Sequence, residues 1–132
     1  MEYTTTVRVD GAFADVVEAT TDALADEGFG VLCDVDVRAT LRAKLDEEFR
    51  NYRILGACNP ELAHRAMGEE LELGALLPCN VVVYETDDGD VAVSAVSPPA
   101  LLSVVGNDEL DAVAEDVATR FDRVIDDVAA AF

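Results

Sequence analysis

The chain has 132 residues, the size of one ordinary domain, and 51% of them are apolar, enough to build a core despite heavy charge. Acidic residues outnumber basic ones 28 to 9, a formal net charge of −19, which speaks against nucleic-acid binding because phosphate contacts need clustered positive charge. The longest apolar runs, 75–83 and 95–105, are broken by proline, asparagine or serine and fall short of the ~20 residues of a spanning helix, so no membrane role is expected.

The acid is spread along the whole chain, and eight of the nine basic residues are arginine, with Lys44 the exception. In dilute buffer such a surface repels itself and opposes the compact state. At molar salt the Debye length shrinks to about 3 Å, the repulsion fades and hydrated carboxylates keep the protein soluble. The composition therefore reads as that of a salt-adapted protein; a nucleic-acid mimic or a binder of basic partners would carry its acid in blocks. The first residues show neither a basic start nor an apolar stretch, so no signal peptide is expected and the cytoplasm is the expected location. Three widely spaced cysteines, Cys33, Cys58 and Cys79, do not read as a disulfide framework.

In chain order, alternation over residues 3–9 predicts a strand with Tyr3, Thr5, Val7 and Val9 on one face. Asp10-Gly11 is placed to cap the next helix, in which Phe13, Val16, Val17, Thr20 and Leu24 share one side, and Gly28 and Gly30 end it. Val31, Cys33, Val35 and Val37 then alternate as the apolar face of a half-buried strand, which makes Cys33 a core residue. Leu41, Leu45 and Phe49 mark a short amphipathic helix, and residues 52–58 an interior strand. Asn59-Pro60-Glu61 is a strong helix start, with a capping side chain, proline at the first helical position and acid in the first turn. That helix is expected to reach Leu71. Strands over 79–85 and 91–96 flank Asp87-Asp88-Gly89-Asp90, a hairpin signal, and Ser97-Pro98-Pro99 closes the second. A final helix, capped at Asn107, carries an apolar stripe from Leu110 through Phe121 to Phe132. The hairpin forces antiparallel pairing. The expected class is α+β: a mainly antiparallel sheet of about five strands with two long helices on one face.

Tyr52–Pro60 with its Ala57-Cys58-Asn59-Pro60, then Ala63-His64, then Leu77-Pro78-Cys79-Asn80 opening a strand, resembles the domain-of-unknown-function family number 302. Tyr84-Glu85 before the hairpin and 101–107 before the last helix fit the same pattern, so the resemblance spans nearly the whole chain. It implies a β-α-β4-α fold of the TATA-binding-protein-like type and self-association as a homodimer, and it implies no activity. Fold likeness to a DNA binder carries no function with it.

Chemistry could sit at Cys58, His64 and Cys79. Cys58 lies just before the Asn59 cap, and amide N–H groups with the positive end of a helix dipole favour a thiolate in such settings. With His64 about one turn on and Cys79 at another strand's start, a Cys-His-Cys set would suit zinc or copper(I). The competing reading makes both cysteines small packing residues and His64 a backbone-bonded histidine. A thiol redox enzyme using Cys58, or an interaction module with no chemistry, are the further alternatives. Six of the nine basic residues fall between Arg38 and Arg65. Arg53 and Arg65, assisted by the helix start at Asn59, could hold a small anionic ligand, or the cluster could simply pair with neighbouring acid.

The charge yields the first prediction. The melting temperature should rise steeply between 0.1 M and about 3 M potassium chloride. A calorimetric scan that does not move over that range contradicts it.

Overall fold

The computed structural model describes residues 2–132. The chain runs through β1 (Thr4–Val9), α1 (Phe13–Asp26), β2 (Gly30–Asp36), α2 (Val37–Leu45), β3 (Tyr52–Cys58) and α3 (Pro60–Glu69). A 3-10 turn over Leu71–Leu76 leads to β4 (Cys79–Glu85), β5 (Val91–Val96) and α4 (Pro98–Leu102), and a second such turn over Asp108–Leu110 leads to α5 (Asp111–Ala131). The strands make one sheet in the order β1-β5-β4-β3-β2, antiparallel at every pairing.

That order puts β1 and β2 at opposite edges, so α1 must carry the chain across the whole sheet. Four strand spacings are about 19 Å, and a helix of α1's 14 residues is about 21 Å long. Because every pairing is antiparallel, β1 and β2 run parallel, so the connection must also return along the strand length, and α1 with its flanking loops covers that diagonal. It stops where Gly28 takes φ +85° and the N–H groups of Gly28 and Phe29 donate to Ala25 and Leu24 carbonyls, each at 3.0 Å. At its start, Ala12 occupies the capping position and contributes no side-chain bond, so Asp10 does not cap the helix as its position suggested.

α1 and α5 lie side by side on one face of the sheet and touch its central strands. Leu55, Val81, Val83 and Val93 point into this layer and are inaccessible to solvent, as are Val16 and Leu24 of α1 and Val124 of α5. Phe29 packs on Phe121 with ring centroids 4.9 Å apart. Thr20, the buried polar residue of α1, satisfies its hydroxyl by donating to the Val16 carbonyl at 2.7 Å. Arg120 of α5 donates to the Glu27 carbonyl at 2.8 Å, tying α5 to the end of α1.

Several local expectations are corrected. β2 does not alternate regularly: Val31 pairs with Ala57 and Cys33 with Gly56, leaving Leu32 as an extra residue. This bulge puts Val31 and Cys33 on opposite faces. Cys33 is therefore exposed, on the face away from the helices, and is not core. α2 ends at Asp46, whose φ of 53° turns the chain, so Phe49 falls outside the helix; no residue of α2 is buried. Its Asp36 cap, with Oδ1 accepting from the Ala39 N–H at 2.9 Å, starts it one strand residue early. α3 stops at Glu69, leaving Leu71 86% exposed. Ser97-Pro98-Pro99 ends β5 as expected, but it also opens α4, with Ser97 Oγ accepting from the Ala100 N–H.

Truncating Leu55, which lies at the centre of the covered face, to alanine should cost about 2–5 kcal/mol in denaturant unfolding. The same change at exposed Leu71 should stay within about 0.5 kcal/mol.

Candidate functional site

β3 ends at Cys58, and the next residue caps α3: Asn59 Oδ1 accepts from the Leu62 N–H at 3.2 Å, with Pro60 at the first helical position. β4 begins at Cys79, and its register pairs Cys79 with Ala57. Two cysteines distant in sequence thus sit at the same end of adjacent strands. Both line an apolar cavity of about 40 Å³ that lies between this strand end and α3, α4 and α5. Phe29, Leu62, Leu73 and Leu102 supply other parts of its wall.

The two thiols are not equivalent. Cys79 is 7% exposed, and burial, reinforced by the neighbouring Cys58, pushes its pKa up to about 11. It is a protonated thiol at neutral pH. Cys58 is half-buried, at the more accessible side of the pair.

His64 does not join them. Leu62 and Ala66 are the residues that α3 buries, and His64 stands about 200° around the helix from Leu62, facing solvent. Among the described residues no group of three His, Cys, Asp or Glu side chains is placed to hold a metal ion. The expected Cys58–His64–Cys79 metal set is therefore not assembled. Two thiols alone do not meet the four-coordinate demand of zinc. The helical period carried the signal that separates His64, since it lies off the i, i+4 row that Leu62 and Ala66 define.

The arginines are mostly engaged. Arg53, five residues up an extended strand and so about 17 Å from Cys58, grips Asp34 with both arms of its guanidinium, Nε donating to Oδ1 at 2.7 Å and the second arm to Oδ2. It does not belong to the cysteine pocket. Arg42 meets Asp46 and Glu48, and Arg50 meets Asp87 at 2.8 Å. Arg65 does lie in a cleft of about 400 Å³ with Asn59 and Arg120 at the start of α3, but Glu61 and Asp116 line the same cleft. Arg120 is held there by Asp116 at 2.8 Å, which leaves the cleft without a net positive charge. The pairing reading of the cluster describes Arg42, Arg50 and Arg53.

A second surface was not legible as a site from the sequence. All three tyrosines of the chain, Tyr3, Tyr52 and Tyr84, line one trough of about 440 Å³ on the sheet face that the helices leave bare. Tyr52 and Tyr84 stack, with centroids 5.4 Å apart and planes 15° from parallel. The available signal was that Tyr84 alternates with the inward-facing Val81 and Val83.

A five-stranded antiparallel sheet with its two long helices on one side and a cysteine at the matching ends of two adjacent strands defines an α+β domain of one recurring type. The chain belongs to the family "Domain of unknown function DUF302", whose pattern matches residues 5–128. An uncharacterized conserved DUF302 protein from Bacillus stearothermophilus has a crystal structure similar to this one, with a TM-score of 0.90 and 30% sequence identity. The similarity covers 97% of this chain and 99% of that one. No curated protein matches the chain significantly.

The Arg53–Asp34 pair carries a pH dependence. The hydrogen bonds from Arg53 hold the Asp34 carboxyl below its ordinary pKa. A depressed carboxylate contributes stability above its unfolded pKa of about 3.9 and loses it as pH falls through the folded value. Arg53→Met should therefore raise the pH of acid unfolding by a small amount, because both side chains are about a third exposed (31% and 36%) and screened. An acid titration followed by circular dichroism checks the direction.

Proposed function

We propose that this protein is a small-ligand-binding module whose seat is the cavity shared by Cys58 and Cys79. One observation supports the reading above others: two thiols from separate parts of the chain line a single cavity whose remaining walls are apolar except at Asn59. Ordinary packing would bury both sulfurs, yet Cys58 keeps partial access. At about 40 Å³ the cavity is far smaller than the ~300–1,000 Å³ sites of drug-sized molecules. The ligand would insert only a small apolar or soft, sulfur-seeking end, with Cys58 touching it first and neutral Cys79 lining the floor.

A second reading, thiol–disulfide exchange, draws on the same inequality. Cys58 would attack a substrate disulfide, expelling one sulfur as a thiolate. Cys79, after losing its proton, would displace the second, leaving a Cys58–Cys79 disulfide and a reduced dithiol. The raised pKa of Cys79 slows that resolving step, and His64 stands away from the pair, so ligand binding is the reading we favour.

A trivalent arsenical, which needs two neighbouring thiols, tests the shared seat. Phenylarsine oxide should bind with one equivalent per chain by native mass spectrometry, release water, and be lost in Cys58→Ser and in Cys79→Ser. It should be unaffected by Cys33→Ser. Uptake indifferent to Cys58→Ser would sink the proposal. Incubation with a disulfide such as oxidised glutathione separates the second reading: a loss of two hydrogens, mapped to a Cys58–Cys79 bridge, would favour exchange chemistry.

A further inference from the structure

The sheet face without helices is hollowed, and the cross-strand register shows how. One row reads Thr6, Ser94, Val82, Ile54 and Val35, and the next reads Arg8, Ala92, Tyr84 and Tyr52. Ser94 and Ala92 are 7% and 0% exposed although they lie on the side away from the long helices. β5 is thus a floor sunk between taller side chains. The trough over it, about 440 Å³, falls within the ~300–1,000 Å³ of small-molecule sites. Six of its nine lining residues end in a hydroxyl, namely the three tyrosines, Thr4, Thr6 and Ser94. Asn80 adds an amide, Val82 and Val96 are apolar, and none of the nine is charged. The Thr6 and Ser94 hydroxyls bond each other at 2.7 Å, and whichever donates, the other keeps its own proton to offer. Burial, with the neighbouring Tyr84 and Tyr3, pushes the Tyr52 pKa above its ordinary value, so its hydroxyl stays a protonated donor at neutral pH.

We propose that this trough binds a neutral saccharide, at a site across the sheet from the cysteine cavity and independent of it. Charge narrows the ligand first. An anion finds no free cation: Arg8, the one charged strand residue on this face, stands at its edge and reaches to Asp88 at 3.1 Å. A cation finds no carboxylate in the lining, although 28 of the 132 residues are acidic. Glu2 stands at a corner beside Tyr3, outside the trough. Polarity narrows it further. A wholly apolar ligand would strip water from six hydroxyls and an amide and give them no partner. A planar aromatic ligand carries polar atoms only at its rim, too few for that lining. A sugar meets both demands, because each of its hydroxyls donates and accepts as those of the wall do. Its C–H face can lie against tyrosine rings, whose faces are electron-rich. Each bond formed replaces one to water, so binding in the millimolar range is expected.

The chain has no tryptophan and its three tyrosines all line the trough, so tyrosine emission reads this site alone. Titration of glucose, N-acetylglucosamine, maltose and cellobiose in molar potassium chloride should give a saturable change with at least one of them. Glucose 6-phosphate should bind no more tightly than glucose. Val82→Phe, which fills the trough from below, should abolish the response. Asn80→Ala, at an exposed position, should weaken it at least threefold with an unchanged circular dichroism spectrum, and decides alone if Val82→Phe does not fold. No saturable change with any of the four sugars overturns the proposal. So does an equal response to glycerol, tighter binding of glucose 6-phosphate than of glucose, or a folded Val82→Phe or Asn80→Ala protein that binds as the wild type does.

Discussion

The crossing of the sheet by α1 constrains everything else in this fold. Because β1 and β2 are the two edges, their connection cannot turn back beside either strand. It has to traverse the sheet on one side, and its apolar stripe then covers the central strands. α5 completes that layer from the other end of the chain, joined through Phe121 on Phe29 and through Arg120 on the Glu27 carbonyl. Once both long helices occupy one side, the inward set of Leu55, Val81, Val83 and Val93 is sealed, and the alternate residues Ile54, Val82 and Tyr84 are left facing out. The bare face is a consequence of the crossover, and its lack of carboxylates is the part that chain composition does not explain.

The same architecture places the cysteines. A strand ending at Cys58 and a strand starting at Cys79 are antiparallel neighbours, so the end of one and the beginning of the other coincide. α3 leaves from this corner, and α4 and α5 close over it, which produces the cavity and buries Cys79 more than Cys58. The buried thiol stays protonated because the low-polarity wall disfavours its anion. Among the described residues no third His, Cys, Asp or Glu side chain joins the two thiols as a metal ion would require.

Charge is distributed by the same logic. Arg42, Arg50 and Arg53 are engaged by Asp46, Asp87 and Asp34, mostly at exposed positions where each pair contributes little alone. The strand positions of the open sheet face carry no carboxylate. With 28 acidic residues against 9 basic ones, most carboxylates have no arginine or lysine to pair with.

Local periodicity by itself determined the five strands, the three main amphipathic helices, the Asn59 cap with Pro60 and the β4–β5 hairpin, because each depends on residues within a few positions of one another. The class of fold followed from their order, and the motif around Cys58 and Cys79 pointed to the family. Tertiary structure alone decided the rest. The bulge at Leu32, which moved Cys33 out of the core, arises where β2 must keep register with β3. The removal of His64 from the cysteine pair depends on which side of α3 the core claims. The capture of Arg53 by Asp34, and the gathering of Tyr3, Tyr52 and Tyr84 on one face, depend on strands brought together from distant parts of the chain. Pairing across a sheet is a non-local contact, and no window of sequence contains both of its partners.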